Sequence, residues 1–327
     1  MLVTRHISLD TVREAAEHIY RVAVRTPLIR IDADSRDLYL KLETLQPIGS
    51  FKIRGAYNAI RQLPPSALGE GVWTVSAGNA AQGVALAART AGARCSVMVM
   101  DTAPETKLRA IERLGAEIVK VSYDECWRTV EQHRSDRMRG TFVHPFDDDG
   151  FISGNGTIGL EILEDLPDVD TVIAPLGGGG LLAGIACVMR ARRPGAKVFA
   201  AEPETAAPLS TSLAAGKPGY FAGWRPSFVD GAGGRSVLPS MWPLLSEWVD
   251  GSIVVTLDEA GRAMRLAAER ARVVAEGAAA CAIAAALKTI SRAREAGDRS
   301  PQKVVAVVSG GNIDLSRFAE IVGAARS

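Results

Sequence analysis

This sequence predicts an α/β fold in which mostly parallel sheets are covered by helices on both faces. Short apolar runs, such as residues 95–100 and 172–174, alternate with segments of helical period. Polar, glycine-rich turns stand at the carboxyl ends of several of these runs, where ligands collect in such folds. A length of 327 residues exceeds one ordinary core, so two domains are expected.

Thr11-Val12-Arg13-Glu14 reads as a capping box, opening a helix with Val12, Ala15, Ala16, Ile19 and Ala23 on one face. Residues 38–43 alternate as a strand should, then turn at Gln46-Pro47-Ile48-Gly49. Residues 51–63 follow as a helix stopped by Pro64-Pro65. Strands are expected at 71–75, 95–100, 117–121 and 141–143, with helices through Arg89, over 105–114 and over 128–139. The second half repeats the theme with strands at 171–174, 198–201, 252–256 and 303–308. A long irregular stretch covers 217–238. No repeat has a solenoid period.

A hydrophobic share of 47% with 23% charged residues describes a globular chain with ample core. A net charge of +1 offers no electrostatic case for nucleic acid or an anionic membrane, and Arg134, Arg137 and Arg139 read as a solvated helix end. Cys95, Cys126, Cys187 and Cys281 are widely spaced, so neither a disulfide framework, a zinc site nor any other metal is expected. A reducing, cytoplasmic setting fits. The start, from Met1 to His6, lacks the apolar core of a signal peptide, and no stretch of about eighteen apolar residues exists to span a bilayer.

Four segments carry candidate chemistry. Gly177-Gly178-Gly179-Gly180-Leu181 lies between a strand and a small-residue helix. Its unshielded amides, backed by the helix dipole, suit a phosphate, whereas a plain strand-to-helix turn is the simpler alternative. Lys52 falls in the first turn of a helix, where the dipole disfavours a cation and an amine becomes nucleophilic; a surface lysine is the simpler alternative. Ser76-Ala77-Gly78-Asn79 ends a strand, offering amides and polar side chains to a carboxylate or phenolic oxygen, or merely an N-cap. Ser309-Gly310-Gly311-Asn312 closes another strand.

In this order, the Ser50-Phe51-Lys52-Ile53-Arg54-Gly55-Ala56 segment and the tetraglycine run resemble the fold-type II pyridoxal-phosphate enzymes. The likeness is to the serine/threonine dehydratase (threonine ammonia-lyase) and serine racemase group. The resemblance runs from Thr26 to Asn312 and implies a two-domain, tryptophan synthase β-like fold with the cofactor in the interdomain cleft. Residues 1–65 and 149–327 would form the large cofactor-binding domain, and 66–148 the small substrate-side domain. It implies a homodimer and a small amino acid substrate. It also implies that Lys52 carries pyridoxal 5′-phosphate covalently, with Phe51 beside the ring. Gly177, Gly178, Gly179, Gly180 and Leu181 would bind the phosphate through their amides. Asn79 would meet the 3′ oxygen, Ser309 the pyridine nitrogen, and Glu276 would stand near the cofactor. Ser76, Ala77, Gly78 and Asn79 would line the substrate carboxylate site.

A serine cannot hold the pyridine nitrogen protonated, which favours prompt loss of a β-substituent over long-lived carbanions. The implied reaction is α-proton removal by the Lys52 amine and departure of the β-hydroxyl, protonated by the cofactor phosphate. The released enamine then hydrolyses to a 2-oxo acid and ammonia. Racemases of the group resemble Ser-Ser-Gly-Asn where this chain has Ala77, which has no exchangeable proton, so elimination is expected over racemisation. The group's cation motif resembles Glu202-Pro203-Glu204-Thr205-Ala206-Ala207-Pro208, but Pro208 replaces a carboxylate, so Glu202 is equally well a strand-end acid. Trp127 is either core packing or a wall suited to a bulkier 3-substituted serine. With the sequence ending at residue 327, feedback inhibition through a C-terminal regulatory domain is not expected. The competing readings are a β-replacement synthase or racemase on the same fold, a ligand-binding relative without chemistry, and a dinucleotide oxidoreductase. The last lacks G-x-G-x-x-G spacing.

Overall fold

The computed structural model describes residues 5–33, 36–297 and 302–325, so Met1 to Thr4, part of the segment read for a leader, lie outside the described residues. Helix α1 (Leu9–Ile19) begins earlier than the Thr11/Glu14 reading: Ser8 and Thr11 cap each other reciprocally, each side chain accepting from the other's amide. Val12, Ala15 and Ile19 are its buried face. Strands β1 (Leu28–Ala33) and β2 (Arg36–Leu42) pair antiparallel. A short 3₁₀ turn over Glu43–Leu45 then leads towards α2 (Lys52–Arg61). Pro65 ends nothing here; it opens the brief α3 (Pro65–Glu70), as proline does at a first helical position.

A run of alternating units follows: β3 (Val72–Val75), α4 (Asn79–Thr90), β4 (Cys95–Met100), α5 (Glu105–Glu112), β5 (Glu117–Val121), α6 (Tyr123–Gln132) and β6 (Thr141–Phe142). Helix α6 was expected at 128–139. It starts earlier because the Ser122 hydroxyl accepts from the Glu125 amide, and it stops at His133, whose φ of 57° is left-handed. These four strands form an all-parallel sheet in the order β5-β4-β3-β6.

Helix α7 (Asp149–Asp165) then leads to β7 (Thr171–Pro175), α8 (Gly180–Arg192), β8 (Lys197–Pro203) and α9 (Pro208–Ala215). After the irregular stretch come α10 (Trp242–Trp248), β9 (Gly251–Val255) and α11 (Leu257–Leu266). A π-turn over Ala267–Ala271 precedes α12 (Gly277–Glu295), β10 (Lys303–Val308) and α13 (Leu315–Ala324). The second sheet runs β1-β2-β10-β7-β8-β9, parallel except for β1 against β2. The predicted α/β architecture of mostly parallel sheets is therefore present.

The sequence reading left α7 out. Its glycines lower helix propensity, but packing overrides that cost. A Cβ on Gly154 would collide with the Arg54 carbonyl, and one on Gly156 would lie 2.9 Å from the Gly184 carbonyl. The glycines let α2 and α8 cross α7 almost backbone to backbone. No helix among the described residues is long and apolar enough to cross a membrane.

Candidate active site

The carboxyl ends of β7, β10 and β3, together with the starts of α2 and α12, converge on one cleft. Lys52 is the first residue of α2, half-buried, and its amine donates to the Pro145 carbonyl at 2.6 Å. The rings of Phe51 and Phe151 flank it, with centres 5.2 and 5.3 Å from Nζ. Burial brings its pKa down to about 8, an effect that Glu276 opposes. Desolvation thus does what the helix dipole was expected to do.

Glu276 is the N-cap residue of α12 and is almost fully enclosed. Burial, reinforced by Asp230, pushes its carboxyl up to about 8, so it is mainly protonated at neutral pH. The Asn79 amide donates to Glu276 Oε1 at 2.8 Å, and the Asn312 amide donates to Asn79 Oδ1 at 2.7 Å and to the Ile48 carbonyl at 2.7 Å. Phe51 N–H donates to the Ser309 carbonyl at 3.0 Å, tying α2 to the end of β10, and Ser309 is buried. Three of the four segments singled out in the sequence are thereby joined directly.

The fourth, the glycine loop, joins through intermediaries. Gly179 has φ of 95°, a left-handed conformation suited to glycine, and α8 starts on it with no side-chain cap. A Cβ on Gly178 would collide with the Phe146 ring, on Gly180 would lie 2.5 Å from the Phe146 carbonyl, and on Gly177 2.8 Å from the Gly231 carbonyl. Gly177 and Gly178 remain partly open, while Leu181 turns into the core. On the other wall, α4 starts from Gly78, again without a side-chain cap, because the Ser76 hydroxyl accepts from the Gly78 amide at 3.1 Å. Ser76, Ala77, Gly78 and Asn79 are half-buried, and a side chain at Gly78 would meet open space. The plain N-cap reading of Ser76 and Asn79 does not hold.

Pyridoxal phosphate requires an amine of lowered basicity, an anion cradle and donors for its ring. The chain supplies Lys52, two uncapped helix starts and the Asn312–Asn79–Glu276 relay, and Ser50 Oγ is buried without a partner two residues from Lys52. The residues fit the group.

Sequence reasoning missed the turn that follows β6. His144 Nδ1 accepts from the amides of Phe146 (3.3 Å) and Asp147 (2.7 Å), and its Nε2 meets the Val130 carbonyl at 3.1 Å. Burial lowers its pKa to about 3, so it stays neutral and shapes the turn that offers Pro145 to Lys52 and Phe146 to the glycines. The rule that ligands gather at strand ends, applied to β6, would have found it. His133 and Asp147 lie beside His144, but both His144 nitrogens are engaged and Asp147 is bound by Arg5 and Ser240. Glu202 accepts from the amides of Leu209 and Ser210, both at 2.8 Å, and from Ser252, so its carboxylate caps α9. Trp127 packs against the core, and its indole donates to Glu131 at 2.8 Å.

Residues 19–310 match the family described as pyridoxal-phosphate dependent enzyme. The L-threonine ammonia-lyase of Thermotoga maritima is 37% identical over 322 residues, covering 97% of this chain and 78% of that protein. The serine racemase of Dictyostelium discoideum is 35% identical over 327 residues, 97% and 98% of the two chains. The structure of processed threonine deaminase isoform 2 from Solanum lycopersicum superposes with a TM-score of 0.86 at 31% identity, covering 99% of this chain and 96% of that one.

Proposed function

The chain belongs to the pyridoxal-phosphate dependent enzyme family, and from that premise we propose that it removes water from a β-hydroxy amino acid of the L-threonine/L-serine class. The products are a 2-oxo acid and ammonia. The observation that carries this reading is the asymmetry of proton donors. Lys52 offers an amine with a pKa near 8, while Ala77, where a racemase would need a second exchangeable proton, offers none. Racemisation and β-replacement are the other chemistries this fold supports.

Bound pyridoxal phosphate supplies the electron sink that makes the substrate's α-proton removable. The chain's own residues do the rest. The amides of Gly177 to Leu181 would hold the phosphate, with no lysine or arginine between Thr171 and Met189 to share its charge. The uncapped start of α4 takes the α-carboxylate with the Ser76 to Asn79 backbone, and Asn79 is held by Asn312 and Glu276 for the ring oxygen. Protonated Glu276 would add no charge beside the ring, and Ser309, buried at the end of β10, would leave the pyridine nitrogen without a carboxylate to protonate it. The Lys52 amine takes the α-proton, with Pro145 accepting its hydrogen bond.

The sheet membership of the strands supports a small substrate-side domain of residues 66–148 and a large one of 1–65 with 149–327. A cytoplasmic homodimer is the assembly we favour. Exposed Tyr20, Val24 and Leu45 support a self-associating face, and Val24 is tied by its backbone to Gln46 beside Leu45. Incubation of purified holoenzyme with L-serine or L-threonine tests the reaction. Stoichiometric 2-oxo acid and ammonia are expected, and D-amino acid as the main product, or product formed only with an added nucleophile, overturns the reading.

A further inference from the structure

The irregular stretch between α9 and α10 holds one isolated antiparallel bridge, Tyr220 to Ser236, and Phe221 N–H donates to the Arg235 carbonyl at 2.8 Å. These contacts fix the backbone of Arg235. Its guanidinium carbon lies 4.3 Å from the centre of the Tyr123 ring, at the start of α6, and 4.0 Å from that of Trp224. Trp224 is itself pinned by its indole N–H donating to the Gly233 carbonyl at 2.9 Å. The cation is held from two sides, one of them contributed by the small-sheet half of the molecule. Its Nε is buried with no acceptor, and no carboxylate among the described residues pairs with it.

Three of the four acids on α6 and this stretch are committed elsewhere. Glu125 pairs with Arg137 at 2.8 Å, Glu131 accepts from Trp127 and Tyr220, and Asp230 pairs with Lys107. Asp124 makes no pair with Arg235. The backbone just before Arg235 runs beside the glycine loop. The Gly231 carbonyl and Gly234 line Gly177 of the glycine loop, and a Cβ on Gly231 would lie 3.5 Å from Glu276 Oε1.

The site has no other call for this charge. The segments assigned to the phosphate and to the α-carboxylate contain no lysine or arginine at 71–88 or 171–189, so amides and helix starts neutralise both anions. Lys107 is consumed by Asp230. A preorganised guanidinium with spare in-plane donors is a carboxylate receptor.

We propose that Arg235 receives a second carboxylate, carried on the β-carbon of the substrate, so that the preferred substrate is a 3-hydroxy amino dicarboxylic acid. This rests on the dehydratase reading above. The α C–H and β C–O bonds break, the proton and hydroxyl leave as water, and hydrolysis of the resulting enamine releases ammonia and a 2-oxo dicarboxylate. Arg235 takes no part in the proton transfers.

The test compares L-threo-3-hydroxyaspartate, L-serine and L-threonine as substrates of the holoenzyme, in wild type, Arg235→Met and Arg235→Lys. Wild type should prefer the dicarboxylate, and Arg235→Met should cut its kcat/KM roughly a hundredfold while changing serine by less than about threefold. Arg235→Lys should recover part of that loss. Equal loss on all three substrates would show a staple between the two halves of the molecule and overturn the proposal, as would a wild type indifferent to the dicarboxylate. Calorimetry of L-aspartate and L-alanine binding to holoenzyme separates this inference from the reading it rests on. If no substrate yields a 2-oxo acid, the dehydratase reading falls. Arg235 as an anion receptor then stands or falls on whether Arg235→Met weakens aspartate alone.

Discussion

Lys52 and Arg54 stand two residues apart on α2, yet they serve two electrostatic regions built on opposite plans. Arg54 is fully buried and saturated: Nε and Nη2 each donate to Glu43 at 2.8 Å, and Nη1 donates to Glu161 at 2.6 Å. Lys41 completes the set, donating to Glu161 and to the Thr26 carbonyl, both at 2.6 Å. Thr26 and Gln46 donate to Glu43 and Tyr20 to Glu161, while the Thr157 hydroxyl accepts from Arg54 Nη1 at 3.1 Å. Two cations face two anions, with burial opposing but Arg54 and Lys41 still holding Glu161 below the usual carboxylate range. Around Lys52 the balance is absent. Its amine has only a carbonyl, Glu276 prefers its proton, and Ser50 Oγ has no partner. The first region is finished by the protein itself, whereas the second awaits a phosphate, a ring and a carboxylate.

The sharpest way to break this contrast is to remove each cation in turn. Lys52→Ala should lower turnover by at least about a thousandfold. Apo-protein melting should hold or rise, because a partly desolvated amine is lost. Arg54→Met should do the reverse. Removing one partner of a buried pair strands the others, and unfolding free energy should fall by about 3–5 kcal/mol in denaturant titrations. A stable Arg54→Met protein, or an unstable Lys52→Ala one, would contradict the division.

The finished region was hardly legible in the sequence. Residues 38–43 read as an alternating strand, and nothing in that pattern reveals that Lys41 is as buried as Leu40. The other charged members of the cluster, Glu43, Arg54 and Glu161, come from three separate elements, and the glycines of α7, which brings Glu161, lower its helix propensity. The unfinished region was legible because its needs are local. Uncapped helix starts, runs without Cβ and a lysine at a first turn are features of contiguous residues. Where the site uses a long-range contact, as with Pro145 on Lys52 or Asn312 on Asn79, the sequence was again silent.

Gly179→Ala probes the cradle. A non-glycine residue at φ of 95° is strained by about 1–2 kcal/mol, and its Cβ would lie 2.8 Å from Leu245. Cofactor affinity should drop by about tenfold or more, read from release of the visible chromophore on dilution, with a smaller loss of apo stability. Glu276→Gln probes the proton. Glu276 has a folded pKa raised to about 8, so its contribution to stability is full below the ordinary carboxylate range and is lost as pH rises through 8. The substitution removes that loss. Melting temperatures of the apo forms should therefore diverge in favour of Glu276→Gln between pH 5 and about pH 8, and converge at the acid end. Equal pH slopes for both proteins would mean that Glu276 is ionised in the fold.

The smallest effect expected is also the most chemical. Ala77 sits half-buried at the edge of the core, between Ser76, whose hydroxyl serves the Gly78 amide, and Gly78, and serine adds a single oxygen there. Ala77→Ser should shift stability by less than about 0.5 kcal/mol. It adds the one group the elimination reading says is missing, a hydroxyl able to exchange a proton opposite Lys52. Chiral chromatography of residual substrate should then show D-serine formed from L-serine above the wild-type level, while 2-oxo acid production continues. If wild type already interconverts the enantiomers as fast as the variant, the proton donor on that side lies elsewhere. The distinction drawn from Ala77 would then fail without touching the contrast between Lys52 and Arg54.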